Sequence, residues 1–180
     1  ASDIPVLGSA FQAREDFLRP VIERFGARIT WVGPGWRQLT PRGHHNAGVV
    51  PPEGCAAFYR GAKIVVNIHR DSYWSHFGDL NTGRVEATHL NPRFWEAGAC
   101  GAFQLVSWRA DRDVYAPEVM TFRTPDELVA LIARYLDDVT ARTASIDATL
   151  GRLAAHGYRS RAREVMDLLG GSGLNHASER

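Results

Sequence analysis

Along this chain, short continuous apolar runs alternate with longer stretches whose apolar residues recur every three or four positions. Ile4-Pro5-Val6-Leu7-Gly8 reads as a short buried strand. Residues 14–25 follow as a helix, with Phe17, Leu18, Val21, Ile22 and Phe25 on one face and Gly26 at the stop position. Pro20 lies inside that pattern, so the helix is expected to kink or to start late. Arg28-Ile29-Thr30-Trp31-Val32 is a second strand, rich in β-branched and aromatic residues. An irregular stretch full of Gly, Pro and His then runs from Gly33 to Pro52. Residues 53–61 read as a short helix, and Lys63-Ile64-Val65-Val66-Asn67-Ile68 is the clearest buried strand.

A polar loop over 70–90 leads to Asn91-Pro92, an N-cap followed by proline at the first helical position, opening a helix that stops at Gly101. Ala102-Phe103-Gln104-Leu105-Val106 is another strand, a charged loop follows, and Val119-Met120-Thr121-Phe122 is a short strand. Thr124 with Glu127 forms a capping box ahead of the stripe Leu128, Leu131, Ile132, Tyr135 and Leu136. Residues 139–155 and 159–169 read as two more helices, before a Gly170-Gly171-Ser172-Gly173 linker and a polar tail to residue 180. Strand–helix alternation with continuously apolar strands predicts an α/β fold, a parallel sheet with helices on both faces joined by right-handed crossovers. Such sheets bind ligands beyond the carboxyl ends of their strands, which here are the loops after Leu7, Val32, Ile68 and Val106.

Composition narrows the picture. At 180 residues against a norm of about 150 per domain, one core is expected, spanning 1–169, with 170–180 as a flexible tail. Apolar residues at 44% and charged residues at 23% argue against wholesale disorder. No apolar run approaches the roughly 20 residues of a membrane span, and Ala1-Ser2-Asp3-Ile4-Pro5 does not read as a signal peptide. The missing initiator Met points to a processed chain or an excised domain. A net charge of +1 gives no overall field towards nucleic acid or membrane surfaces. Lys63 is the only lysine; the arginine bias suits bidentate grip on phosphates, and a GC-rich genome would produce it equally well. Cys55 and Cys100 lack zinc-type or C-x-x-C spacing, so a reduced, cytoplasmic protein is expected.

Several patterns fail as sites. Gly33-Pro34-Gly35 follows a strand, but the third glycine of a dinucleotide fingerprint would be Gln38, so it reads as a turn. Gly8-Ser9 stands where a phosphorylation receiver would need acids. His44, His45, His69, His76 and His89, with Asp71 and Asp79, lack compact ligand spacing, and no metal is expected. The helix opening at Asn91 is more informative. Its free N–H groups and dipole favour an anion such as a diphosphate. Arg93 in its first turn is poorly matched to the dipole, and a bound phosphate would explain it. Glu96, one turn in, could accept hydrogen bonds from a ribose diol; equally, Arg93 and Glu96 could be an ion pair on an exposed helix face.

The run Asn91-Pro92-Arg93-Phe94-Trp95-Glu96-Ala97-Gly98-Ala99-Cys100-Gly101 resembles the N-x-R-x-x-E-x-x-x-C-G signature of group 1-type glycosyltransferases, in the spore-maturation-protein-like branch. The resemblance extends upstream over Phe58 to Arg70, downstream over Tyr158 to Ala162, and to the opening Gly8-Ser9 with Arg14, so that it covers nearly the whole chain. It implies a Rossmann-like domain, the C-terminal half of a GT-B fold, that holds a nucleotide-diphosphate sugar and needs no cofactor. By carry-over, Glu96 meets the ribose hydroxyls, and Asn91 and Arg93 lie at the diphosphate end of the helix. Ser9 and Arg14 lie in the first loop, where relatives grip phosphate, and Gly48, Val49 and Val50 lie against the base. Asn67, at the end of the matching strand, joins the nucleotide-binding set. Arg93 and Arg14 are the candidates for stabilising the departing diphosphate in catalysis. The family's Glu-x7-Glu pattern is broken, since Thr88 stands eight residues before Glu96. The acceptor is expected on an N-terminal domain or partner chain. A non-catalytic nucleotide-binding or protein-interaction module on the same fold is the alternative.

Overall fold

The computed structural model describes residues 3–36, 45–70 and 82–171. Six parallel strands form one sheet: β1 (Ile4–Leu7), β2 (Ile29–Val32), β3 (His45–Asn46), β4 (Val65–Asn67), β5 (Gln104–Ser107) and β6 (Met120–Phe122), in the order β3-β2-β1-β4-β5-β6. Side chains alternate between the two faces of a strand, and the core divides accordingly. Ile4, Val6, Ile29, Trp31, Ile64, Val66 and Leu105 pack under α1 (Gln12–Phe25) and α5 (Pro125–Tyr135), whose Leu18, Val21, Leu128 and Ile132 join the same cluster. On the other face, Leu7, Val32 and Val65 meet Tyr59 of α2 (Pro52–Gly61) and Ala97 of α3 (Pro92–Ala99). Val106 meets Phe94 and Leu153, the latter from α6 (Val139–Leu153). The parallel sheet with helices on both faces is thus as the apolar runs predict. Among the described residues, no helix is long and apolar enough to cross a membrane.

Four elements differ from the sequence reading. β3 lies in the stretch read as irregular; its two residues pair with Thr30 and Trp31 at the sheet edge, too short a segment for any apolar run to announce. A five-residue helix, α4 (Asp111–Tyr115), stands in the charged loop after β5. α1 starts at Gln12 and continues through Pro20 to Phe25, so it does not start late at that proline. The last helix, α7 (Tyr158–Gly171), takes in Gly170 and Gly171 of the expected linker; the rest of that tail lies outside the described residues. The capping box forms as predicted, with the Glu127 N–H donating to Thr124 Oγ1 at 3.2 Å and the Thr124 N–H to Glu127 Oε2 at 3.4 Å.

Candidate functional site

The strand order reverses between β1 and β4, and the crevice beyond their carboxyl ends is the switch point where such sheets bind ligands. Backbone hydrogen bonds shape the loops there. Gly8 N–H donates to Val32 C=O at 2.8 Å and Ala10 N–H to Pro34 C=O at 2.9 Å, zipping the loop after β1 to the loop after β2. Trp36, stacked on Trp31 with ring centroids 4.5 Å apart, adds an indole N–H to Gly8 C=O at 2.7 Å. Gly33 and Gly35 both have positive φ, consistent with the turn expected of Gly33-Pro34-Gly35.

Cations converge on this crevice from four segments. Arg14 of α1 is buried, with 6% of its surface exposed. Its Nη1 donates to Ser9 C=O at 2.6 Å and its Nη2 to Ile68 C=O at 2.8 Å, tying the β1 loop to the end of β4. Burial, then the charges of Arg93 and Arg70, push its pKa down to about 10, and no carboxylate lies within ion-pair distance among the described residues. Arg14 and Arg70 also share the Phe11 ring, at 5.2 and 5.0 Å from its centroid. Arg93 reaches the same loop from α3: a Cβ on Gly8 would stand 2.6 Å from Arg93 Nη2 and 3.1 Å from Arg14 Nη1. Beyond β5, Arg109 donates to Arg70 C=O at 2.9 Å.

His69 closes the group. Its N–H donates to Ser107 Oγ at 2.9 Å, and its Nδ1 lies 2.8 Å from the same oxygen. The residue is 8% exposed, and Nε2 is buried without a hydrogen-bond partner among the described residues. Burial first, then Arg109, push its pKa down to about 4, with Arg93 and Arg14 adding to the effect against the Ser107 hydrogen bond.

The expected nucleotide residues divide in two. Asn67 and Asn91 spend their amides on each other, with Asn91 Nδ2 donating to Asn67 Oδ1 at 2.9 Å and Asn67 Nδ2 to Asn91 Oδ1 at 3.1 Å. Asn91 Oδ1 also accepts the Phe94 N–H at 3.0 Å. The pair therefore clasps the start of α3 to the end of β4. Because Phe94 is capped and Pro92 has no N–H, the first turn offers an anion the Arg93 N–H and the dipole, fewer donors than the sequence suggested. Glu96, by contrast, is exposed, and no ion pair joins it to Arg93 among the described residues. Arg93 and Glu96 both act electrostatically on Cys55 and Tyr59, so this strip of α3 lies along α2.

Burial, aided by the charge of Glu96 and opposed by that of Arg93, pushes the Tyr59 hydroxyl well above its ordinary range. The loop before α2 meets the same region: Gly48 C=O accepts from Gly33 N–H at 2.6 Å, Val49 is 78% exposed, and Val50 packs against the cluster that holds Val32, Tyr59 and Ala97. Of the histidines weighed as ligands, His89 Nδ1 pairs with Asp111 at 2.7 Å and His69 with Ser107. His44 and His76, with Asp71 and Asp79, lie outside the described residues. The sequence reading missed the gathering of His69, Arg70, Ser107 and Arg109. Their one common signal is position, each within three residues of the end of β4 or at the end of β5.

The model of a family described as glycosyl transferase-like matches residues 14–167. The chain belongs to this family. A 112-residue segment is 41% identical to spore protein CgeB of Bacillus subtilis (strain 168), covering 58% of this chain and 34% of that protein. Among solved structures, a mutant of T4 phage BGT in complex with UDP-glucose superposes with a TM-score of 0.68 at 14% identity, over 94% of this chain and 47% of the other. Sucrose-phosphate synthase from Thermosynechococcus elongatus gives 0.64 at 15% identity, over 94% and 45%. The α,α-trehalose 6-phosphate synthase from Burkholderia multivorans gives 0.61 at 13%, over 99% and 45%. The chain thus spans about a third of the curated relative and about half of each of these structures. The glycosyltransferase family and its Rossmann-like fold, legible in the Asn91–Gly101 signature, are those of this chain.

Proposed function

We propose that this chain is the donor-binding half of a glycosyltransferase, holding a nucleotide-diphosphate sugar at the switch point while an N-terminal domain or partner chain presents the acceptor. The observation that carries this reading is the buried cationic crevice. Arg14, Arg93 and His69 meet there, and no carboxylate neutralises Arg14 or Arg93 among the described residues. Like charges brought together out of water cost free energy that a diphosphate would recover.

In the reaction, the bond between the anomeric carbon and the phosphate oxygen breaks as the acceptor hydroxyl oxygen bonds to that carbon, through an oxocarbenium-like state, and the hydroxyl proton passes to a base on the acceptor-binding body. The departing nucleoside diphosphate gains negative charge, and a preorganised donor is most valuable where charge develops. Arg93, with the α3 dipole behind it, supplies that stabilisation; Arg14 holds the Ser9 loop and lends its field. Glu96 accepts the ribose hydroxyls, and the Gly48–Val50 loop flanks the base. The UDP-glucose held by the T4 phage neighbour supports a UDP-sugar as the class of donor. Met166 and Leu169, exposed on α7, support a second body docked against that helix.

Calorimetric titration with UDP, GDP, ADP and dTDP, with and without magnesium, tests the reading. One diphosphate should bind saturably. Glu96→Ala should weaken it by about 10- to 100-fold, the worth of about 1.5–3 kcal/mol for hydrogen bonds to a charged group, and should leave the fold intact because Glu96 is exposed. Absence of binding to all four would overturn the donor site, and an unaffected Glu96→Ala would remove that carboxylate from it.

A further inference from the structure

His69 stands at the carboxyl end of β4 with one edge of its ring satisfied and the other not. Ser107 Oγ accepts the His69 backbone N–H, so its hydroxyl proton is available to Nδ1. With Ser107 Oγ–H donating to Nδ1, the neutral ring carries its proton on Nε2. A buried ring nitrogen with no partner among the described residues is a cost unless a ligand supplies one. The groups that act on the ring are all cationic or neutral: Arg14 from α1, Arg93 from α3, and Arg109 and Ser107 from the end of β5. Its chain neighbour Arg70 is cationic too, and no carboxylate acts on the ring among the described residues. The ligand that satisfies Nε2 in such surroundings is an anion with acceptor oxygens.

We propose that His69 is a ligand of the donor diphosphate whose ring takes up a proton from solvent when the nucleotide sugar binds. Nε2–H donates to a phosphoryl oxygen, the incoming proton adds to Nδ1, and Nδ1–H then donates to Ser107 Oγ, a hydroxyl able to switch from donor to acceptor. The inference rests on the nucleotide-sugar reading above. In the free chain, burial and three arginines hold His69 down to about 4, below its ordinary 6.5, so the ring is neutral at pH 6. The negative charge of a diphosphate reverses the sign of the local field and raises that value.

Linkage then fixes the direction. Between the free and bound pKa values binding consumes protons, so affinity falls as pH rises, by up to about tenfold per unit for one whole proton. Above the bound value the dependence vanishes. The same charge favours the departing nucleoside diphosphate, which is more negative than the sugar ester, over the bound donor.

The test is calorimetry with UDP-, GDP-, ADP- and dTDP-glucose at about pH 6, near the ordinary His pKa, in buffers of contrasting ionisation enthalpy. Sugar nucleotides are the right probes because both phosphates are esterified on either side and neither titrates in this range. The chain should take up a substantial fraction of a proton on binding, and His69→Gln should bind more weakly with none. Binding without proton uptake, or uptake that persists in His69→Gln, overturns this inference and leaves the donor site standing. No binding by any of the four sinks the donor site itself, and the inference with it. Should His69→Gln fail to fold, the His69 ring resonances of the unaltered chain decide: their titration midpoint should rise when the sugar nucleotide saturates, and an unmoved midpoint overturns the proposal.

Discussion

Gly33 has φ 128°, and a Cβ there would run into the carbonyl oxygen of Gly8. Its neighbour in space, Gly8, also has positive φ, at 120°, and lies bare against the guanidinium groups of Arg93 and Arg14. Both positions therefore need glycine twice over, for backbone conformation and for space. Gly33→Ala should destabilise the fold by about 2 kcal/mol or more, combining left-handed strain with a backbone clash. Urea denaturation should show a lower midpoint with an unchanged slope; an unaltered midpoint would mean that the two loops can part without cost. At this scale much of the site was legible. Arg93 stands out in the sequence because a cation in the first turn of a helix opposes the dipole, and in the structure it lies beside Gly8 and Arg14 at the candidate site. His69 was not, because a histidine after an apolar run says nothing of its neighbours. The meaning of the residue depends on Arg14, Arg93 and Ser107, which lie 55, 24 and 38 positions away and are brought to it only by the sheet.

At the scale of elements, the start of α3 governs the site. Asn91 reads from sequence as an N-cap, and it is one, but the second half of its work is the reciprocal amide pair with fully buried Asn67. Losing a cap costs about 1 kcal/mol, and leaving a buried amide unpaired adds about 1–3 kcal/mol. Asn91→Ala should thus destabilise by more than a cap alone, and Asn67→Ala should be costly for the same reason. A double-mutant cycle should return a coupling of about 1–2 kcal/mol, measured by denaturation; additive losses would deny the clasp.

Elements with strong local signals were readable: the β4 run, the capping box of α5 and the Asn91-Pro92 opening of α3. Those without were not. β3 is two residues held by pairing with Thr30 and Trp31, and α4 is five residues in a charged loop. Pro20 does not delay the start of α1, because losing one hydrogen bond weighs less than the burial of Leu18 and Val21 on either side of it.

For the whole molecule, the strand order places its reversal between β1 and β4, and everything argued for the site follows from that. α1 and α5 cover one face, α2 and α3 the other, and α6 packs Ala141 and Ile146 against the first cluster and Leu153 beside Phe94. Alternation of strands and helices predicted the layers, but the order of strands within the sheet is set by non-local pairing that no local pattern encodes. The family resemblance carried more, because the Asn91–Gly101 signature records a whole architecture.

The most direct test of the central claim is an amide chemical-shift map of the chain titrated with the four nucleotide sugars. The account predicts that one of them shifts Gly8, Ser9, His69, Arg93, Glu96 and the Gly48–Val50 loop together, saturating at a single site. Shifts confined to another face of the sheet, or none with any of the four, would contradict it.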